Sequence, residues 1–244
     1  MKNSIITSDT GKKDHVKSMF DSIAWRYDFL NHFLSAGVDR RWRKKAIEII
    51  KQHKTKPEIL DVATGTGDLA LTALSLDPKK INGIDISEKM LAIGKEKIRK
   101  LDFGNRIELL YGDSENIPFP ESSFDVTMAA FGVRNFADPV RGLKEMNRVL
   151  RSDGMIMILE FSKPGNLLFK SFYNFYFRRM LPFFGRLFSK DKSAYTYLPE
   201  SVMKFPDNEE FMGLLTEAGF SDVRQKRLTG GIASIYTGFK IIKQ

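Results

Sequence analysis

Three acids and a pair of glycines carry the sharpest chemical signal in this 244-residue chain. The segment Ile59-Leu60-Asp61-Val62-Ala63-Thr64-Gly65-Thr66-Gly67-Asp68 joins an apolar run to a helix-forming one. Glycines at such a junction let the backbone turn tightly and come close to a ligand. Asp85 follows Gly67 by 18 residues, where a carboxylate is placed to bind the two hydroxyls of a ribose. Asp113, in Tyr111-Gly112-Asp113-Ser114, could accept from an adenine amino group while the chain passes the ring. Each feature alone has a plain reading, as a βα turn or a solvated strand-end acid. Recurring at the ends of successive strands, they describe the crevice of a nucleoside-bearing ligand.

The elements that must position these groups follow from periodicity. From His15 to His53 the apolar residues recur at helical spacing, with a break at Ser35-Ala36-Gly37. Strands are expected at 58–63, 81–86, 106–111, 124–130 and 155–161. Helices are expected at 68–76, from the Ser87 cap to about Lys100, and at 140–150. A helix at 208–219 and closing strands at 221–227 and 232–241, a hairpin with Gly230-Gly231 near its turn, complete the pattern. Such alternation predicts a Rossmann-like α/β fold with a mainly parallel seven-stranded sheet. It predicts a single domain over 1–244, with a flexible tail at 1–14, an N-terminal helical cover at 15–54 and an aromatic-rich lid inserted at 165–200.

The ligand has two candidates. Gly65, Gly67 and Ala70 satisfy a loose G-x-G-x-x-A, which a nicotinamide dinucleotide site also uses. A carboxylate at Asp61, beside the glycine loop, would oppose a pyrophosphate but suits the ammonium end of S-adenosylmethionine. The Gly112-Asp113 step points the same way. A methyltransferase is therefore expected, with Asp61, Gly65, Thr66, Gly67, Asp85, Ile86, Asp113, Ser114 and Ala130 around the cofactor.

Bulk composition narrows the setting. The chain has no cysteine, which removes disulfides, thiolate metal sites and cysteine nucleophiles. His15, His32 and His53 are not spaced as metal ligands, so no metal is expected. No apolar run reaches about 18 residues, and the N-terminal stretch has no signal-peptide h-region. Lys and Arg number 39 against 30 acids, a formal charge of +9 that favours an anionic partner. Twenty phenylalanines are present, and many crowd Leu167–Phe188 between Lys170, Arg178, Arg179 and Arg186. That mix suits a membrane interface or single-stranded nucleic acid, and its bland reading is a lid whose rings fill the core.

The sequence resembles the UbiE/MenG family of quinone-biosynthesis C-methyltransferases from about Met19 to Lys240. The resemblance rests on Tyr27-Asp28-x-x-Asn31, Asp61-x-Ala63-x-Gly65-Thr66-Gly67-Asp68 and Ile117-Pro118-Phe119-Pro120. Its most specific strings are Phe131-Gly132-Val133-Arg134-Asn135 and Glu160-Phe161-Ser162-Lys163-Pro164. It implies the class I methyltransferase fold and methylation of a ring carbon on a polyprenylated hydroquinone. Demethylmenaquinol is the preferred substrate and a ubiquinone-pathway benzoquinol the alternative. By position it puts cofactor contacts on Thr66, Asp85, Asp113 and Ser114, with Ala130 beside them. Asp39 stands where relatives often carry histidine.

For ring methylation the protein must align a carbon with the cofactor's methyl and raise its electron density. Arg134 is the candidate to stabilise a phenolate, since a guanidinium is a fixed donor and a poor base. Tyr27 and Asn135 would orient cofactor or ring, and water or Asp39 would take the proton. Arg134 pairing only with a carboxylate, and Tyr27 as a plain core ring, are the bland readings. A prenylated substrate implies transient contact with the membrane surface and a cytoplasmic placement, peripheral on the inner face. No nucleic acid partner is expected, though RNA methylation and an inactive cofactor-binding scaffold are the rivals. A homodimer stays open.

Overall fold

The structure is a computed structural model that describes residues 9–35, 37–164 and 193–241. The core segment expected as a lid, 165–192, and the first eight residues lie outside the described residues.

A seven-stranded sheet runs in the order β3-β2-β1-β4-β5-β7-β6. Its strands are β1 (Glu58–Val62), β2 (Lys80–Asp85), β3 (Ile107–Tyr111), β4 (Phe124–Ala130), β5 (Leu150–Phe161), β6 (Phe220–Leu228) and β7 (Ala233–Lys240). All pairings are parallel except those of β7 with β5 and β6. The strand order reverses at β1 and β4, so a crevice opens beyond their carboxyl ends. β1 reads as a continuous apolar run around Asp61 because helices cover both its faces. Ile59 packs in one core layer and Leu60 and Val62 in the other.

On the first face lie α2 (Val38–His53), α3 (Asp68–Ala73) and α4 (Glu88–Lys100). α2 buries Trp42, Ala46 and Ile50, one stripe at four-residue spacing. α4 starts where the Ser87 hydroxyl accepts from the Met90 amide at 3.2 Å, as expected of a cap. On the second face lie α5 (Pro139–Arg148) and α7 (Glu209–Glu217). α5 is capped by Asp138, with proline at its first position. Between the inserted segment and α7 stands α6 (Ser193–Lys204).

Three expectations need correction. The tail is shorter than predicted, because α1 (Asp9–Leu34) already includes residues 9–14. That stretch has no apolar stripe; what it does have is tertiary partners for Lys12 and Lys13. β5 begins at Leu150, which pairs with Phe124 before regular pairing resumes at Met155 with Val126. Arg151 to Gly154 form a bulge between, with Asp153 at φ 62°. Finally, α6 was not foreseen as a helix.

Candidate active site

The glycine loop leaves β1 and enters α3 through Gly67, whose φ of 82° belongs to the left-handed region. Beneath it Asp61 is 1% exposed. One carboxylate oxygen accepts from the Thr64 hydroxyl at 2.6 Å; the other, Oδ1, is buried without a well-formed hydrogen bond among the described residues. Burial pushes its carboxyl up to about 7, against the pull of the Thr64 hydroxyl and the Arg43 charge. A buried, half-satisfied acid is a place for a cationic donor.

Asp85, at the end of β2, ties two turns together. Its carboxylate accepts from the amides of Gly65 and Ser87, each at 2.8 Å. Burial raises its carboxyl too, while those amides pull it down. Each oxygen keeps a lone pair for a further donor such as a hydroxyl. After β3, Asp113 accepts from the Glu115 amide at 2.9 Å and from Lys13 of α1 at 2.7 Å. After β4 the chain passes very close to the glycine loop: a Cβ on Gly132 would lie 2.6 Å from the Ala63 Cβ.

Together these groups bound one cleft beyond the carboxyl ends of the strands, where a doubly wound sheet takes its ligand. Gly65, Asp85, Ile86, Asp113, Ser114, Ala130 and Asn135 all line it, and α1 covers it with Lys13, Val16 and Phe20. Acids on the rim with apolar walls between suit an adenosyl group and its charged tail. Three expected cofactor residues do not line the cleft. Asp61 lies under the loop, Gly67 is buried where the loop enters α3, and Thr66, 2% exposed, accepts from Lys97 at 3.2 Å.

At the end of the cleft Asn135 accepts from the Tyr197 hydroxyl of α6 at 3.0 Å. Burial raises the Tyr197 phenol, helped by Glu160 and opposed by Arg134. The His15 ring meets Tyr197 edge-on at 6.2 Å. Arg134 is buried and pairs with Glu160 at 2.8 Å. It also donates to the Phe131 carbonyl and stands 5.4 Å over the Phe161 ring. Its Nε has no partner among the described residues. Asp39 is buried on α2, where it accepts from Arg43 and from the Ser35 hydroxyl at 2.6 Å. It does not line the cleft. Tyr27 lies within α1, but its side chain is outside the described residues. Among the described residues no group of three or more histidine and acid side chains could hold a metal ion.

Sequence reasoning missed Lys13 and Glu115, and it weighed a carboxylate partner for Arg134 without naming Glu160. Lys13 gave no signal in a polar stretch. Glu160 gave one, as an acid closing an otherwise apolar strand.

The sheet order and the crevice are those of the class I S-adenosylmethionine-dependent methyltransferase fold. Solved structures agree on the fold. A methyltransferase of Thermotoga maritima, described as a possible histamine N-methyltransferase, superposes with TM-score 0.65 at 20% identity, covering 93% of this chain and 100% of that one. The [4+2]-cyclase SpnF gives TM-score 0.67 at 16% identity, covering 95% and 97%, so this fold alone does not fix a reaction. Sequence goes further. The model of the ubiE/COQ5 methyltransferase family matches residues 8–240, and the chain belongs to that family. It is 48% identical over 233 residues to the ubiquinone/menaquinone biosynthesis C-methyltransferase UbiE of Geotalea uraniireducens, covering 95% of this chain and 98% of the relative. It is 43% identical over 235 residues to the demethylmenaquinone methyltransferase of Bacteroides fragilis, covering 96% of each.

Proposed function

We propose that the protein transfers a methyl group from S-adenosylmethionine to a ring carbon of a polyprenylated hydroquinone, with demethylmenaquinol as the acceptor. What carries this reading is the meeting of two groups at one end of the sheet, in a chain of this family. The acid-rimmed cleft runs to Asn135, and Asn135 is bonded to Tyr197 beside the Arg134–Glu160 pair. A prenylated benzoquinol of the ubiquinone pathway is the second reading, since one relative's name covers both quinones.

When bound, the cofactor supplies an electrophilic methyl on a sulfonium. Asp85 would hold the ribose hydroxyls, Asp113 and Ser114 the adenine side, and Ala130 would lie alongside through its backbone. Asp61 would face the ammonium end across the glycine loop of Gly65, Thr66 and Gly67, with Ile86 against the purine.

On the acceptor side, Asn135 and Tyr197 would orient the quinol ring, with Tyr27 assigned to the same task. Arg134, held in place by Glu160, would donate from its guanidinium to the oxygen of a developing phenolate. Asp39 is engaged by Arg43 and Ser35. Taking the ring proton there would cost that pair, which leaves water as the favoured acceptor. No step calls for a metal. The prenyl tail implies transient contact with an anionic membrane surface from the cytoplasmic side. The +9 charge supports that contact, and Arg40, Arg41 and Lys44 stand exposed on α2.

The test offers labelled S-adenosylmethionine with demethylmenaquinol and a prenylated methoxybenzoquinol in competition. Label is expected on the naphthoquinol first. Label on the benzoquinol alone moves the assignment to the second reading, and label on neither removes both.

A further inference from the structure

The roof of the cleft is fastened by charge as well as by apolar contact. Lys13 of α1 reaches Asp113 at 2.7 Å and Glu115 at 3.0 Å. Glu115 is 2% exposed, and its other oxygen accepts from the amides of Ala137 and Asp138 at 2.8 and 3.1 Å. Next to Lys13, Lys12 donates to the Phe136 carbonyl. Two turns further along α1, Asp21 accepts from the Ser87 hydroxyl at 2.5 Å. Between them Val16 and Phe20 face into the cleft, and the Lys17 ammonium lies 5.5 Å over the Tyr111 ring. One helix is thus pinned to the loops after β2, β3 and β4, which form the cofactor rim.

We propose that Lys13 is a positioning residue for the cofactor: it latches α1 over the cleft by pairing with Asp113 and Glu115, so that lid closure and adenine reading share one carboxylate. This rests on the placement of S-adenosylmethionine in this cleft. An ionised carboxylate has roughly four acceptor positions. Asp113 uses one for Lys13 and one for the Glu115 amide, so an adenine amino group can join without expelling the lysine. Lys13 also offsets part of the repulsion between two acids that stand close together. The cofactor and the closed lid therefore stabilise each other, and the cofactor leaves only after the latch breaks.

The experiment measures S-adenosylmethionine affinity by calorimetry, together with amide exchange across residues 12–21 with and without cofactor. Lys13→Met keeps an unbranched side chain one atom shorter and removes the charge. It should weaken binding about tenfold, as loss of a charge-assisted bond does, and abolish the cofactor-induced slowing of exchange in α1. Lys13→Arg should restore both. Lys13→Met combined with Glu115→Gln removes the buried one of the two acids left without that cation, so a purely structural defect would be repaired there while the latch would still be open. Wild-type affinity with intact cofactor-induced protection in Lys13→Met would overturn the latch. Asp85→Asn, on the opposite rim, is expected to lose affinity regardless; full binding by that variant would remove the cofactor from this cleft and the latch with it.

Discussion

Asp61 links the site to pH. Its carboxyl stands at about 7 in the folded chain against an ordinary 3.8. Between those values the folded state holds a proton that the unfolded state has released. Stability therefore falls as pH rises from about 4 to about 7, and the loss is complete above that. Asp85 is shifted the same way. Asp61→Asn should flatten part of this slope in denaturant titrations at several pH values, and an unchanged slope would show that Asp61 does not titrate as described. S-adenosylmethionine should also bind more tightly as pH rises through 7 in the wild type, since its ammonium favours the ionised acid; Asp61→Asn should lose that trend.

Arg134 and Glu160 call for a different test. Breaking a buried ion pair from one side costs about 3–5 kcal/mol, because the other charge is stranded. Arg134→Met alone should therefore lower thermal stability strongly. Pairing it with Glu160→Leu should recover most of that stability and none of the methyl transfer. Recovery of activity in the double variant would reduce Arg134 to a structural role. That such a pair existed was half legible: both residues sit in the two most specific strings of the sequence. Their contact spans 26 residues and two strand ends, which no local pattern encodes.

Among the elements, those built on strong periodicity were readable. β4 falls at Phe124–Ala130 as expected, and the Ser87 cap and the Gly230-Gly231 turn lie where their residue types put them. α1 before His15 and α6 were not readable, because tertiary contact holds them. Lys12, Lys13 and Tyr197 each bond to residues at least 62 positions away. The strand-end residues that line the cleft, Asp85 and Asp113 among them, were legible for the same reason as the strands. Thr66 was harder, since its side chain turns to Lys97 and away from the cleft. Two element-scale outcomes follow. Gly132→Ala would press a methyl against Ala63, so the glycine loop must shift. Cofactor affinity should drop several-fold while the circular dichroism spectrum keeps its shape. Trp42 packs against Phe131 and Phe161 and donates to Thr229 at 2.9 Å, binding α2 to the β6–β7 hairpin. Trp42→Ala should cost about 3–5 kcal/mol, visible as a fall in Tm of roughly 2–4 °C per kcal/mol.

At the scale of the whole molecule, the proposed meeting with a water-insoluble substrate turns on charge. Among the described residues no helix is long and apolar enough to cross a membrane. The proposed surface contact rests instead on the basic balance of the chain and on the aromatic segment 165–192, which lies outside the described residues. Cosedimentation with phosphatidylglycerol vesicles should exceed that with phosphatidylcholine and should fade with added salt, as screened charge does. Equal binding to both would remove the electrostatic part of the account. The central claim is that the cleft under α1 delivers a methyl group to a quinol ring held near Arg134. Its most direct measurement is a single-turnover reaction of labelled S-adenosylmethionine with demethylmenaquinol, comparing the wild type with the Arg134→Met, Glu160→Leu double variant. Labelled menaquinol from the wild type, with transfer lost and cofactor affinity kept in the double variant, is the predicted result. Tight cofactor binding with no labelled menaquinol from the wild type would contradict the account.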